Sequence, residues 1–137
     1  MKKILFIEDE EFLLEQYQIA LSEFDITPVN SALKGLELIE KMDFDAVLLD
    51  IMMPPTEDMD PELVNYGRST GVEICRRIKS IRPDIPVVVL SVVRDSGILK
   101  RITEAGASEI INKPALPNKV IETLNRVLNK NYQSKGR

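Results

Sequence analysis

Apolar runs that end on polar residues set the rhythm of this chain. Four of them, Ile4 to Ile7, Ala46 to Leu49, Val87 to Leu90 and Ile110 to Ile111, are aliphatic and β-branched with no polar alternation. That is the pattern of strands buried on both faces in a parallel sheet. Between the runs, apolar residues recur at helical spacing. Leu13, Tyr17, Ala20, Leu21 and Phe24 make one stripe, Leu36 and Ile39 a second, and Ile74 to Ile81 a third. Ile98, Ile102 and Ala105 precede Gly106, a helix-stop residue, and Val120, Ile121, Leu124, Val127 and Leu128 form the last stripe. Thr27 to Asn30 supplies the remaining strand. Five strands alternating with five helices predict an α/β domain with a doubly wound, mainly parallel sheet and right-handed crossovers.

The polar residue that stops each run is chemically more telling than the run itself. The strands stop at Glu8-Asp9, at Asp50, at Ser91 and at Asn112-Lys113. Ligands of open α/β sheets bind outside the carboxyl ends of the strands, so these groups are expected to converge in one crevice. Taken singly, each has an ordinary role: Asp and Ser cap helices and shape turns, the acids from Glu8 to Glu11 suit a helix amino end, and a lysine before proline is a solvated loop residue. Three acids, a hydroxyl and a lysine at the ends of four strands of one sheet point instead to a pocket that binds magnesium and accepts a phosphoryl group.

Composition narrows the function classes. A chain of 137 residues holds one core of ordinary domain size. With 18 basic and 22 acidic residues the formal charge is -4 and no basic stripe occurs, which argues against nucleic acid as a direct partner. Histidine is absent, which excludes a Ser-His-Asp triad, histidine-ligated zinc and a phosphohistidine carrier. A phosphohistidine, if one takes part, therefore comes from another protein. Cys75 is the only cysteine and lies among Ile74, Ile78 and Ile81, as a buried structural thiol would. No apolar segment approaches a signal-peptide core or a membrane span, and with a lone cysteine this predicts a reducing, cytoplasmic setting without membrane insertion.

One stretch breaks the alternation. From Asp50 to Gly71 the chain carries Pro54, Pro55 and Pro61 with the acids Glu57, Asp58, Asp60 and Glu62, and no apolar period. It reads as a long loop over 55–70, between the third strand and third helix, either with a partner-facing or lid role beside the pocket or as a neutral insertion. Residues 131–137 read as a disordered tail or the start of a linker.

Together these residues resemble the receiver domain of bacterial two-component response regulators, over 1–130. Ile4-Leu5-Phe6-Ile7-Glu8-Asp9-Glu10 is similar to that family's first strand and acidic pair, Leu48-Leu49-Asp50-Ile51-Met52-Met53-Pro54 to its acceptor strand and turn, and Asn112-Lys113-Pro114 to its closing lysine turn. The resemblance implies a flavodoxin-like (βα)5 fold with strand order 2-1-3-4-5. It implies Asp50 as the phosphoacceptor, and a magnesium or manganese ion held by Asp9, Asp50, the Met52 carbonyl and, through water, Glu8. Lys113 would counter the transferred charge, Pro114 would fix the lysine turn through a cis peptide bond, and the Ser91 hydroxyl would move to a phosphoryl oxygen to report the modification.

The implied partners are a sensor histidine kinase or a histidine phosphotransfer protein, and a downstream protein that reads the fourth helix, fifth strand and fifth helix. A homodimer on phosphorylation is a further family expectation. The chain would be a phosphorylation-controlled binding switch and not an enzyme. The alternatives are a phosphorelay intermediate and a receiver fragment of a larger regulator. A phosphoaspartate phosphohydrolase fits less well, since Met52 stands where such enzymes often place a second Asp. Three departures from the family pattern matter. Ile110 replaces the usual aromatic switch residue, Val92 follows Ser91 where a small residue is usual, and the loop before Gly71 is long. Val92, Val93 and Met52 would shield the phosphoryl group and slow its hydrolysis.

Overall fold

The computed structural model describes residues 1–135. Five parallel strands, β1 (Lys3–Ile7), β2 (Asp25–Val29), β3 (Ala46–Asp50), β4 (Val87–Ser91) and β5 (Glu109–Asn112), are ordered β2-β1-β3-β4-β5. The helices α1 (Glu11–Ala20), α2 (Ala32–Lys41), α3 (Thr70–Ile81), α4 (Ser96–Glu104) and α5 (Pro117–Lys135) join them in strict alternation. Architecture and strand order are the flavodoxin-like ones expected from the sequence. Strands β3 and β4 are buried along their whole length, as their unbroken apolar runs require. Two cores result. Leu5, Ile7, Val47, Leu49, Val87 and Val89 face α2, α3 and α4, while Ile4, Phe6, Ala46, Leu48, Val88 and Leu90 face α1 and α5.

Local chemistry sets several boundaries. Ser31 accepts the Lys34 N–H at the start of α2, and Asp95 Oδ1 accepts the Gly97 and Ile98 N–H groups at the start of α4. Gly106, with φ of 109°, ends α4 in a conformation that a Cβ disfavours. Among the described residues no helix is long and apolar enough to cross a membrane. Cys75 is buried, and burial pushes its thiol up to about 11.

Two boundaries and one loop depart from expectation. β2 begins at Asp25 and not Thr27, because it is a half-exposed edge strand that pairs only with β1, from Lys3↔Asp25 to Ile7↔Val29. No apolar run marks such a strand, and Pro28, which lacks an N–H, is tolerated at an edge. α5 continues to Lys135, so the expected tail at 131–137 is helical over most of its length. The apolar stripe stops at Leu128, but neither Gly nor Pro interrupts the chain between Asn118 and Lys135. Gly136 and Arg137 lie outside the described residues.

The insertion after β3 packs back onto the body of the domain. The Met53 N–H bonds to the Gly67 carbonyl at 3.1 Å, closing it into a compact loop. Met59 and Val64 are buried in the α2–α3–α4 core, and a short 3-10 turn covers Asn65–Gly67. Arg77 of α3 holds Asp58 at 2.9 Å, and Arg101 of α4 donates to the Leu63 carbonyl. Two isolated apolar residues at neither helical nor strand spacing carry this packing, which is why periodicity missed it. Met59→Ala is therefore expected to lower stability by about 2–5 kcal/mol, the usual range for truncating a buried methionine. An unchanged urea midpoint for that variant would remove the insertion from the core.

Candidate functional site

Register brings the site together. Ile7 pairs with Leu49 across β1 and β3, so the next residues, Glu8 and Asp50, stand side by side at the carboxyl edge. Side chains alternate along a strand. Glu8 thus follows Ile4 and Phe6, Asp50 follows Ala46 and Leu48, and Lys113 follows Ile111, all toward the α1–α5 side of the sheet. There they open into a cleft of about 830 Å³, lined also by Asp9, Leu13, Tyr17, Met52, Val92 and Pro114.

The charges within it are tightly coupled. Carboxylate oxygens of Glu8, Asp9 and Asp50 lie within 4.8 Å of one another. Glu8 and Asp50 are buried, whereas Asp9 is exposed at the rim. Lys113 Nζ lies 2.7 Å from Glu8 Oε1 and 3.5 Å from Asp50 Oδ1, so its closer partner is Glu8. Asp50 Oδ1 also accepts the Met52 N–H at 3.3 Å, and neither of these contacts engages Oδ2. Burial, reinforced by the neighbouring Asp50, raises Glu8 above the ordinary carboxyl range against the pull of Lys113. Partial burial and Glu8 raise Asp9 likewise. Burial works against the charge on Lys113, yet its bond to Glu8 and the attraction of both acids hold its pKa above normal.

This donor set suits a hard divalent cation. Three carboxylates crowd together with one ammonium among them, and among the described residues neither a thiolate nor an imidazole joins the cluster to favour a softer metal. Glu8, Asp9 and Asp50 with the Met52 carbonyl could hold magnesium or manganese, whose charge would offset the cost of burying and crowding these carboxylates.

The remaining expected residues fall in different places. Ser91 sits one row beyond Asp50, so alternation turns it to the opposite side of the sheet. It is fully buried, its Oγ accepts the Val93 N–H at 2.9 Å, and it does not line the cleft. Val92 lines the cleft and is half exposed, whereas Val93 is a core residue, so of the three residues expected to shield the phosphoryl group Val92 and Met52 line the cleft and Val93 does not. Ile110 is half-buried against the α2–α3–α4 core. The Lys113-Pro114 bond is cis. Glu57, Asp58, Asp60 and Glu62 are absent from the cleft lining, which corrects their expected place beside the pocket: the insertion folds toward α2 and α3.

Sequence reasoning missed Tyr17 as a builder of the site and gave Gly71 only as the family's glycine displaced to the end of the long loop. Tyr17, read as a core stripe residue, lines the cleft, stacks edge-on against Phe6 and donates its hydroxyl to the Ala115 carbonyl at 2.9 Å. It thereby ties α1 to the segment after Lys113. Burial raises its phenol. Gly71 presses α3 onto the acceptor turn, its N–H bonded to the Ile51 carbonyl at 2.8 Å. A helical stripe gives no sign of a polar tip, and a glycine gives no sign of what approaches it.

Comparison with known proteins agrees with this geometry. The family model described as the response regulator receiver domain matches residues 4–125. The transcriptional regulatory protein CseB of Streptomyces avermitilis is 34% identical over 113 residues, which cover 81% of this chain and 42% of CseB. The chemotaxis protein CheY of Thermotoga maritima is 26% identical over 129 residues, 92% of this chain and 97% of that protein. The chain thus spans less than half the length of the first relative and nearly all of the second. A CheY-like receiver domain protein from Methanospirillum hungatei superposes with a TM-score of 0.84 at 23% identity over 98% of both chains, a likeness of fold.

Proposed function

The chain belongs to the response regulator receiver family of two-component systems, and from that membership we propose that Asp50 accepts a phosphoryl group from a partner histidine kinase or phosphotransfer protein in the cytoplasm. The observation that carries this reading is the buried Asp50 carboxylate, 3.5 Å from Lys113 and crowded by Glu8 and Asp9. The Met52 N–H and Lys113 fix Oδ1, which leaves Oδ2 to attack phosphorus. An O–P bond forms as the P–N bond to the partner's imidazole breaks, and the imidazole leaves with that electron pair. Magnesium or manganese, when bound, neutralises the carboxylates and polarises the phosphoryl oxygens.

The residues of the chain do the rest. Lys113, pinned to Glu8, is poised to lean toward the new phosphoryl oxygens as a compact positive charge. Glu8 and Asp9, with Asp50 and the Met52 carbonyl, would hold the cation, and Met52 and Val92 limit water at the mouth. Ser91 would have to leave its bond to the Val93 N–H to reach the phosphoryl group. Because that N–H opens the segment leading into α4, the exchange would shift the surface of α4, β5 and α5, with Ile110 filling the place of an aromatic switch. That surface would then select a downstream protein or a second copy of the chain. In this role the protein is a phosphoacceptor and not a turnover enzyme.

Metal removal tests the reading. Incubation with acetyl phosphate and magnesium is expected to add one phosphate to the intact mass, and chelation with EDTA to suppress the adduct by about a hundredfold or more. Equal labelling with and without divalent cation would contradict the proposed roles of Glu8 and Asp9.

A further inference from the structure

The insertion builds a groove that the phosphorylation site does not use. Folded toward α2, it leaves two hollows of about 540 and 360 Å³ that share Leu33, Thr56 and Asp58 and so run together along the outward face of α2. The floor is apolar: Leu33, Leu36, Pro54, Pro55 and Ile81, with Leu33 56% exposed although it is a leucine on a packed helix. The rim is acidic: Glu37 and Glu40 on α2, Glu57 and Asp58 on the insertion. Arg77 is the one cation among the described lining residues, and Glu73 at 3.0 Å and Asp58 at 2.9 Å already hold it. Lys34 of α2 bonds at 3.4 Å to Asn30, a lining residue at one end of the groove, and to none of the four rim acids.

We infer that this groove docks a short basic, amphipathic helical segment of a partner protein. From Leu33 to Glu40 the α2 face spans about two helical turns, room for apolar residues at i, i+3 or i+4 and i+7 of a facing helix. Apolar contacts would cover Leu33 and Leu36, and flanking lysines or arginines would meet four carboxylates of which, among the described residues, only Asp58 has a partner cation. An acidic or uncharged segment would leave that rim uncompensated. The insertion supplies one wall, which gives this departure from the family pattern a role in partner choice separate from phosphorylation at Asp50.

The test uses the full chain, ¹⁵N-labelled, with saturating magnesium to neutralise the Asp50 cleft. It is titrated with a fourteen-residue helical peptide of leucine and lysine, and with the same peptide carrying glutamate for lysine. The lysine peptide is expected to perturb residues 32–40, 54–58 and 77–81, to bind more weakly as salt rises, and to lose about tenfold in affinity on Leu33→Asp. Glu37→Lys with Glu40→Lys should weaken it further, while the glutamate peptide does not bind. Leu33 is exposed enough that its replacement should not unfold the chain, and an unchanged thermal midpoint checks this. Perturbations centred on Glu8, Asp9 and Asp50, unchanged affinity for Leu33→Asp, or equal binding of both peptides would overturn the inference. So would absence of binding at millimolar peptide, or concentration-dependent shifts on this face without peptide, which would make a second copy the occupant.

Discussion

Asn in place of Asp50 is expected to abolish phosphorylation and leave the fold intact. The amide cannot act as the nucleophile, and loss of a group that forms the covalent intermediate lowers the rate by roughly a thousandfold or more. The cost to folding should be small, because an Asn carbonyl can still accept the Met52 N–H that Asp50 Oδ1 accepts at 3.3 Å. The substitution also relieves crowding. Glu8 is held above its usual range partly by Asp50, so removing the aspartate charge eases a buried repulsion, and the thermal midpoint should stay level or rise. Intact mass after incubation with acetyl phosphate and magnesium reads the first effect and thermal unfolding the second. A variant labelled to the wild-type extent would mean that another residue accepts the phosphoryl group.

Gly71→Ala is expected to damage both stability and phosphorylation. A Cβ at this position would lie 2.5 Å from Ile51 Cα and 2.7 Å from the Asp50 carbonyl oxygen. Both are backbone atoms of the acceptor turn, so no flexible side chain can give way. Either α3 moves outward, disturbing the Gly71 N–H bond to Ile51, or the turn carrying Asp50 is displaced. Overpacking of this kind costs about 1–3 kcal/mol and occasionally more. A shift of the nucleophile by about 1 Å is enough to slow the reaction by about a hundredfold. Urea unfolding and the initial rate of labelling measure the two effects. A wild-type midpoint together with a wild-type rate would show that the contact is relieved without cost.

Much of the fold was legible because the unbroken apolar runs of β1, β3 and β4 can only be doubly covered strands. The polar residue that stops each run then marks the functional edge. Glu8, Asp9, Asp50 and Lys113 were legible for the same reason, and alternation along β1, β3 and β5 turns Glu8, Asp50 and Lys113 to one side of the sheet. Ser91 shows where that reasoning falls short. A strand end gives the row of a residue, but its side of the sheet depends on parity, and Ser91 is one residue out of step with Asp50. The insertion was opaque for a different reason. Met59 and Val64 bury themselves from a loop without period, and the same folding carries Glu57 and Asp58 away from Asp50 to the α2 face. Tyr17 was half legible: its ring belongs to the core stripe, and its hydroxyl belongs to the cleft.

The most direct measurement is to locate the phosphoryl group itself. Protein labelled with acetyl phosphate and magnesium would be reduced with borohydride, which converts a phosphoaspartate to homoserine, and its peptides would be mapped by mass. Homoserine is expected at position 50 and nowhere else, with none in protein labelled in the presence of EDTA. Conversion at Asp9 or another acid, or a stable phosphate on a hydroxyl such as that of Ser91, would contradict Asp50 as the phosphoacceptor.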